Sequence, residues 1–537
     1  MQLSEQGLIS ERKQWEIAGY NLPQYDHKDM VSATKENPFW LHFGAGNIFR
    51  AFQANVVQEL LNNGTLDRGL IAVGGHEEMD QLFAPHDNYT VLVTLKADGA
   101  VDKTIVGSIA ETLTMDAGYN KHFKRLREIF TKDSLQIVSF TITEKGYSLA
   151  MGDGCYMPEV AEDMEKGPEN PVSYMGKVTA LLYARYQAGQ KPIAMVSMDN
   201  CSHNGTKLYA AISSFARKWS ENGQTDSGFL EYIENPEKVS FPWSMIDKIT
   251  PRPDAAVERI LEKDGIQDLK PIITEKNAYI APFVNAEECE YLVIEDAFPN
   301  GRPKLEKGGI IFTERETVDK VEKMKVCTCL NPLHSALAIF GCILGYDLIS
   351  EEMNDTDLRG LIIKMGYIEA MPVVVDPGVL NPKDFIDAVL NRRLPNPFMP
   401  DTPQRIATDT SQKLSVRFGE TIKAYVDRDM DKDALILIPL VLAGYARYLK
   451  GIDDEGKMFE ISSDPLLKEL QAIIAPLEVR EGVQKFDCLK NLYNRADIFG
   501  VDLYEVGLGK RIEGMVAELY AGYGAVRKTL HKYVSMR

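Results

Sequence analysis

A lysine, an amide and an imidazole fall within ten residues of one another in Lys325-Val-Cys-Thr-Cys-Leu-Asn-Pro-Leu-His334. Lys325 can take a proton from a hydroxyl, Asn331 can donate a hydrogen bond to the resulting oxyanion, and His334 can orient a neighbouring hydroxyl. The set asks for no metal. A lysine ordinarily titrates near about pH 10.4, so work as a base demands burial or a nearby positive charge. Each residue also has a plainer reading. Lys325 is then a solvated helix lysine, Asn331 a turn residue ahead of Pro332, and His334 a core histidine with its bonds satisfied.

Other polar groups stand where they can join such chemistry. Asn200 and Asn204 come after an apolar run at 193–198 and can donate to substrate oxygens or cap the next helix. His203 between them reads as a loop residue. Asp247, flanked by Lys248 and Arg252, reads as a surface ion pair. Arg405, Lys413 and Arg417 gather cations beyond a proline-rich loop and can hold a carboxylate, unless they simply form a solvated helix face. Thr143 and Glu144 lie at the end of the apolar run 135–143, at either a ligand-binding strand end or an ordinary loop exit.

These groups need a scaffold. Over the first 300 or so residues, short apolar runs (40–43, 69–73, 89–95, 135–143 and 193–198) alternate with helical patterns at 48–61, 122–130 and 175–186. That rhythm predicts a doubly wound parallel sheet of α/β class, with additional strands over 238–313. Beyond 317 the apolar spacing turns helical (Val318, Val321, Met324, Leu333, Ala336, Ile339), so a boundary near 315 divides domains at 1–315 and 316–537, the second mostly α-helical.

The 537 residues exceed one ordinary core, and 60 basic against 78 acidic side chains leave a net charge of −18. Broad nucleic-acid binding is not expected from that balance. Seven scattered cysteines, only Cys327 and Cys329 close together, give no zinc framework and read as reduced thiols, with no metal expected. The opening residues lack a basic stretch leading into an apolar one, and the apolar runs at 336–345 and 434–443 are short, so a cytoplasmic protein without a membrane partner is expected.

Gly44-Ala45-Gly46, between the first strand and its helix, offers a tight turn where backbone can approach a pyrophosphate. The third glycine of the G-x-G-x-x-G pattern is absent: its position is Phe49, next to Arg50, which can contact a phosphate or form a surface ion pair. No carboxylate stands at the tip of the second strand, where an acid would hold the adenine ribose; Glu77 and Glu78 come close behind.

Seven segments in order resemble the polyol-specific long-chain dehydrogenases, the mannitol dehydrogenase and fructuronate reductase family. They are Phe43-Gly-Ala-Gly-Asn-Ile-Phe-Arg50, Ser139-Phe-Thr-Ile-Thr-Glu-Lys-Gly-Tyr147, Ser197-Met-Asp-Asn200 with Asn204-Gly205, Phe241-Pro242 with Thr250-Pro251, Val293-Ile-Glu295 with Gly301-Arg-Pro303, the 325–334 stretch, and Asn396-Pro397 with Asp401, Arg405, Asp409 and Lys413. The resemblance spans nearly the whole chain. It implies a Rossmann-type domain, a mostly helical second domain and zinc-independent hydride transfer with NAD. It also implies a sugar-acid or polyol substrate and a monomer or small homo-oligomer.

By that resemblance Lys325 is the general acid/base, and Asn200 and Asn331 polarise the reacting oxygen. Asp247, His334, Arg405 and Lys413 bind the substrate. Gly44, Gly46, Asn47, Arg50, Thr143, Glu144 and Asn200 hold the cofactor. The implied reaction interconverts D-fructuronate and D-mannonate, with mannitol 2-dehydrogenase, tagaturonate reductase or NAD-retaining epimerase activity as alternatives. One departure stands out. The family spaces its lysine five residues before the asparagine and eight before the histidine; here the spacings are six and nine. On a regular helix nine residues place Lys325 about 180° from His334. A π-bulge, or a break at Pro332, is therefore expected between Lys325 and Asn331; on a straight helix Lys323 would instead lie on the His334 face, but the Met324-Lys325 match favours Lys325.

Overall fold

The computed structural model describes every residue except Lys276 and Arg537. Six strands of one parallel sheet organise the first unit, Met1–Asp319. They are β1 (Trp40–Phe43), β2 (Leu70–Gly74), β3 (Ile109–Thr114), β4 (Ile137–Phe140), β5 (Ile193–Ser197) and β6 (Val239–Ser240), in spatial order β3-β2-β1-β4-β5-β6. This 3-2-1-4-5-6 order is that of the Rossmann fold, and it reverses direction beside β1. Alternation along each strand feeds two cores. Leu41, Phe43, Ile71, Val73, Val138 and Phe140 pack on one face, and Trp40, Leu70, Ala72 and Ile137 on the other.

Additional strands flank this sheet. Tyr20–Asn21, Val101–Val106, Thr90–Leu95 and Phe283–Glu287 form a mixed four-stranded sheet. Ser244–Asp247, Tyr291–Glu295 and Ile311–Thr313 form another of three. The strand-rich character expected over 238–313 is present in these elements.

The second unit, Lys320–Arg537, is helical. The helix Leu437–Tyr448 is buried along its whole length and packs against Asn331–Leu344 and Gly509–Leu519. Gly444 makes one of these approaches possible, since a Cβ there would meet the Phe340 ring at 2.8 Å. Pro439 falls in the first turn of this helix, where its missing N–H removes no helical hydrogen bond. The neighbouring N–H groups are met by the buried Glu369 carboxylate, which accepts from Ile436 at 2.9 Å, Leu437 at 2.6 Å and Ile438 at 2.8 Å.

Helical structure extends from Arg315 to Leu344, a stretch long and apolar enough to cross a membrane; 78% of its apolar window is buried inside the protein, as in a core helix. Removing the acceptor that caps Leu437–Tyr448 should be costly. Glu369→Ala is expected to lower the unfolding free energy by about 2–4 kcal/mol in chemical denaturation, and Glu369→Gln by less because one acceptor remains. An unchanged denaturation midpoint would show that the helix start does not depend on Glu369.

Candidate active site

At the reversal point of the sheet the chain leaves β1 through Gly44, whose φ is +109°. A Cβ there would lie 2.1 Å from the Thr141 carbonyl oxygen, so only glycine fits. Gly46 has open space where a Cβ would project. A cleft of about 460 Å³ opens at this turn, beyond the carboxyl ends of β1 to β4. It is bounded by Gly44, Gly46, Gly74, Gly75, Glu78, Asp116, Thr141, Thr143, Tyr174 and Lys177, among others. Ligands of open α/β sheets bind at such a place.

The wall behind the glycine turn is a directed hydrogen-bond chain. The Trp40 indole donates to Ser139 Oγ at 2.6 Å. His42 is fully buried, which pushes its imidazole down to about 3 and keeps it neutral. Its Nδ1 lies 2.6 Å from Ser139 Oγ and its Nε2 2.8 Å from Thr141 Oγ1, whose hydroxyl donates to the Gly44 carbonyl at 3.1 Å. With the Thr141 proton committed to Gly44, the His42 proton belongs on Nε2, and Ser139 donates to Nδ1. Every member of this buried chain is then satisfied, which makes the turn rigid.

Two carboxylates face the cleft beyond β2 and β3. Glu78 accepts the Gly75 N–H at 2.9 Å, and Asp116 accepts the His76 N–H at 2.8 Å and lies 2.9 Å from His76 Nδ1. Glu77 is turned away, accepting from the Glu275 N–H. The glycine cradle and these acceptors fit a dinucleotide: carboxylates bind ribose hydroxyls and oppose a 2′-phosphate.

Of the residues expected to hold the cofactor, Gly44, Gly46 and Thr143 line the cleft. Arg50 does not. Its buried guanidinium donates to Thr90 Oγ1 at 3.1 Å, the Ala281 carbonyl at 2.7 Å and Asn47 Oδ1 at 2.9 Å, which ties the first helix to the flanking sheet. Asn47 is drawn into the same bracket and donates to the Pro251 carbonyl at 3.1 Å. Glu144 is exposed and pairs with Lys207. Asn200 is exposed in the loop after β5. Asn204, also weighed as a donor to substrate, is buried and bridges Asp199 to Ser244. Asp247 is buried at the end of its strand, which removes the surface ion-pair reading.

In the second unit the expected distortion is present. Lys325–Cys329 is a π-helical turn, closed by Leu330 N–H to the Lys325 carbonyl at 3.1 Å, and the α-helix Asn331–Leu344 begins after the non-helical Leu330. The wide turn absorbs one residue. Leu330, between the two elements, leaves helical geometry (φ −129°, ψ −63°), so a break directly before Asn331 accompanies the wide turn. Lys325 is 3% exposed. His334 Nε2 is buried without a hydrogen bond, 3.6 Å from Asp401 Oδ2.

The cations expected near His334 differ in their commitments. Arg405 is exposed and paired with Asp401, and the Lys413 ammonium donates to the Thr408 carbonyl. Arg417 reaches inward to the Ser335 hydroxyl, and burial pushes its guanidinium down to about 10. Among the described residues no group of three His, Cys, Asp or Glu side chains converges as a metal-binding set.

Comparison with known proteins places these features in a family. Residues 39–307 match the mannitol dehydrogenase Rossmann domain, and residues 317–519 match the mannitol dehydrogenase C-terminal domain. The chain belongs to the mannitol dehydrogenase family. It is an NAD-dependent dehydrogenase of the sugar-acid and polyol class.

Similar members include a D-mannonate oxidoreductase of Thermotoga maritima, 49% identical over 98% of both chains. Among solved structures, a substrate-free D-sorbitol dehydrogenase superposes with a TM-score of 0.79 at 25% identity, over 96% of this chain and 98% of that one. The Pseudomonas fluorescens mannitol 2-dehydrogenase in complex with NAD and D-mannitol gives 0.70 at 26% identity, over the full length of both.

Two consequences can be measured. Gly44→Ala is expected to abolish detectable NADH binding in a fluorescence titration while the protein stays folded; near-normal affinity would contradict the cradle geometry. Burial, partly opposed by Asp401, pushes the His334 imidazole down to about 4 from its ordinary 6.5. The unfolded chain therefore takes up this proton first, so His334 costs stability as pH falls from about 6.5 toward 4, and the loss levels off below that. Compared with wild type, His334→Gln should show a shallower fall in Tm across that window. Parallel curves would place the His334 titration elsewhere.

Proposed function

We propose that this chain interconverts D-fructuronate and D-mannonate by metal-independent hydride transfer. The observation that carries the reading is the 49% identity, over 98% of both chains, to a D-mannonate oxidoreductase. The cations of the second unit support an acid over a neutral polyol. Arg405 and Lys413 have protein partners, whereas Arg417 is bonded to a neutral hydroxyl and keeps its charge for a carboxylate.

NAD, held at Gly44, Gly46 and Thr143, would supply the hydride acceptor for oxidation and, in its reduced form, the hydride donor for reduction. Lys325 takes the hydroxyl proton in oxidation and gives it back in reduction. Asn200 and Asn331 donate hydrogen bonds to the reacting oxygen, whose negative charge is greatest in the transition state. His334 is neutral above about pH 5, so its unpartnered Nε2 can meet a substrate hydroxyl without adding charge. Asp247, Arg405 and Lys413 bind the remaining hydroxyls, and Arg417 meets the charged end. Gly44, Gly46 and Thr143 hold the dinucleotide in the cleft.

Purified protein mixed with D-fructuronate and NADH is expected to form D-mannonate with loss of one NADH per product, unaffected by EDTA. Preferred turnover of tagaturonate or fructose would reassign the substrate. Isomer formation without NADH loss would identify an epimerase. Lys325→Ala is expected to lower kcat by at least about a thousandfold while NADH affinity stays within about threefold. Activity surviving in Lys325→Ala but lost in Lys323→Ala would move the acid/base role to the other lysine.

A further inference from the structure

The cleft wall after β4 has a conformation its own residues do not favour. Thr143 adopts φ +67° and ψ +159°, a region of backbone space reserved almost entirely for glycine. Something must hold it there. Asp199, just beyond the neighbouring strand β5, accepts two successive backbone N–H groups, from Ile142 at 3.0 Å and from Thr143 at 2.8 Å. The same carboxylate accepts the Tyr147 hydroxyl at 2.5 Å, and that hydroxyl also lies 2.8 Å from Ser197 Oγ. Asp199 and Tyr147 are both buried.

On its other side the segment is pressed against the glycine turn, where Thr141 leaves no room for a Cβ on Gly44. Residues 141–143 are thus pinned between the turn after β1 and the carboxylate after β5, and all three line the cleft. An ordinary strand exit requires no such arrangement. A buried carboxylate gripping consecutive N–H groups at a strained residue is the pattern of a preorganised binding wall.

We propose that Asp199 is a positioning residue for the dinucleotide: its carboxylate imposes the strained turn at Thr143 and so sets the shape of the wall against which the cofactor lies. Asp199 touches neither cofactor nor substrate in this role. It acts through Ile142 and Thr143.

The test is a double-variant cycle on cofactor binding, read without turnover. Asp199→Asn keeps the side-chain shape but only one acceptor oxygen. It is expected to weaken NADH binding in a fluorescence titration by roughly tenfold and to speed hydrogen exchange at the Ile142 and Thr143 amides of the cofactor-free protein. Glycine takes the φ of Thr143 unaided, so in a Thr143→Gly background Asp199→Asn should weaken binding by less than about threefold. An equal penalty in both backgrounds, or no change in Asp199→Asn, would overturn the proposal. Should Asp199→Asn alone be insoluble, the double variant still decides. A soluble, NADH-binding double variant supports the clamp, and an insoluble one refutes it.

Discussion

One extra residue between Lys325 and Asn331 constrains everything that the second unit does with its polar groups. A regular helix would turn the lysine away from the histidine, and breaking the helix would expose backbone in a core where most side chains are buried. The protein combines the π-helical turn Lys325–Cys329 with a break at Leu330. The backbone stays paired across both, through Leu330 N–H to the Lys325 carbonyl and His334 N–H to the Leu330 carbonyl at the start of the helix Asn331–Leu344. Pro332 falls within the first turn of that α-helix, where the missing N–H is tolerated. The turn costs helix regularity, and Lys325 at its start is buried.

The first unit meets a related difficulty with different means. A dinucleotide cleft needs backbone close to phosphate, and close backbone needs a rigid support. Here the support is a chain of hydrogen bonds from Trp40 through Ser139, His42 and Thr141 to the Gly44 carbonyl. Burial keeps His42 neutral, so the chain carries no net charge beneath a site meant for an anionic ligand. Two carboxylates, Glu78 and Asp116, stand farther out along the strand ends, where ribose hydroxyls rather than phosphates are to be met.

Much of this is legible in the sequence because it is local. The strand–turn–helix at 40–62, the strands near 137–140 and 193–197 and the change to helices after about 315 can be read from apolar period and glycine placement. The distortion after Lys325 can be read by counting residues around a helix. The features that escape such reading depend on distant partners. Arg50 resembles a phosphate ligand until Thr90 and Ala281, far along the chain, prove to occupy its guanidinium. Asn204 offers itself as a donor to substrate, but Ser244 claims its amide. The strand Ile109–Thr114 is absent from the strands expected of the sequence, and with it Asp116 at its end; the β-branched Ile109, Thr112 and Thr114 are the available signal. No local pattern announces Asp199, since its function lies in which N–H groups the fold brings to it.

Lys325, at the start of the π-turn, is proposed to exchange the substrate's proton. A crystal structure of the protein with NAD and D-mannonate bound tests it most directly. Lys325 Nζ is expected within about 3 Å of the reacting hydroxyl oxygen, with the π-turn intact. An Nζ pointing away from the substrate, with Lys323 or another group at that oxygen, would contradict it.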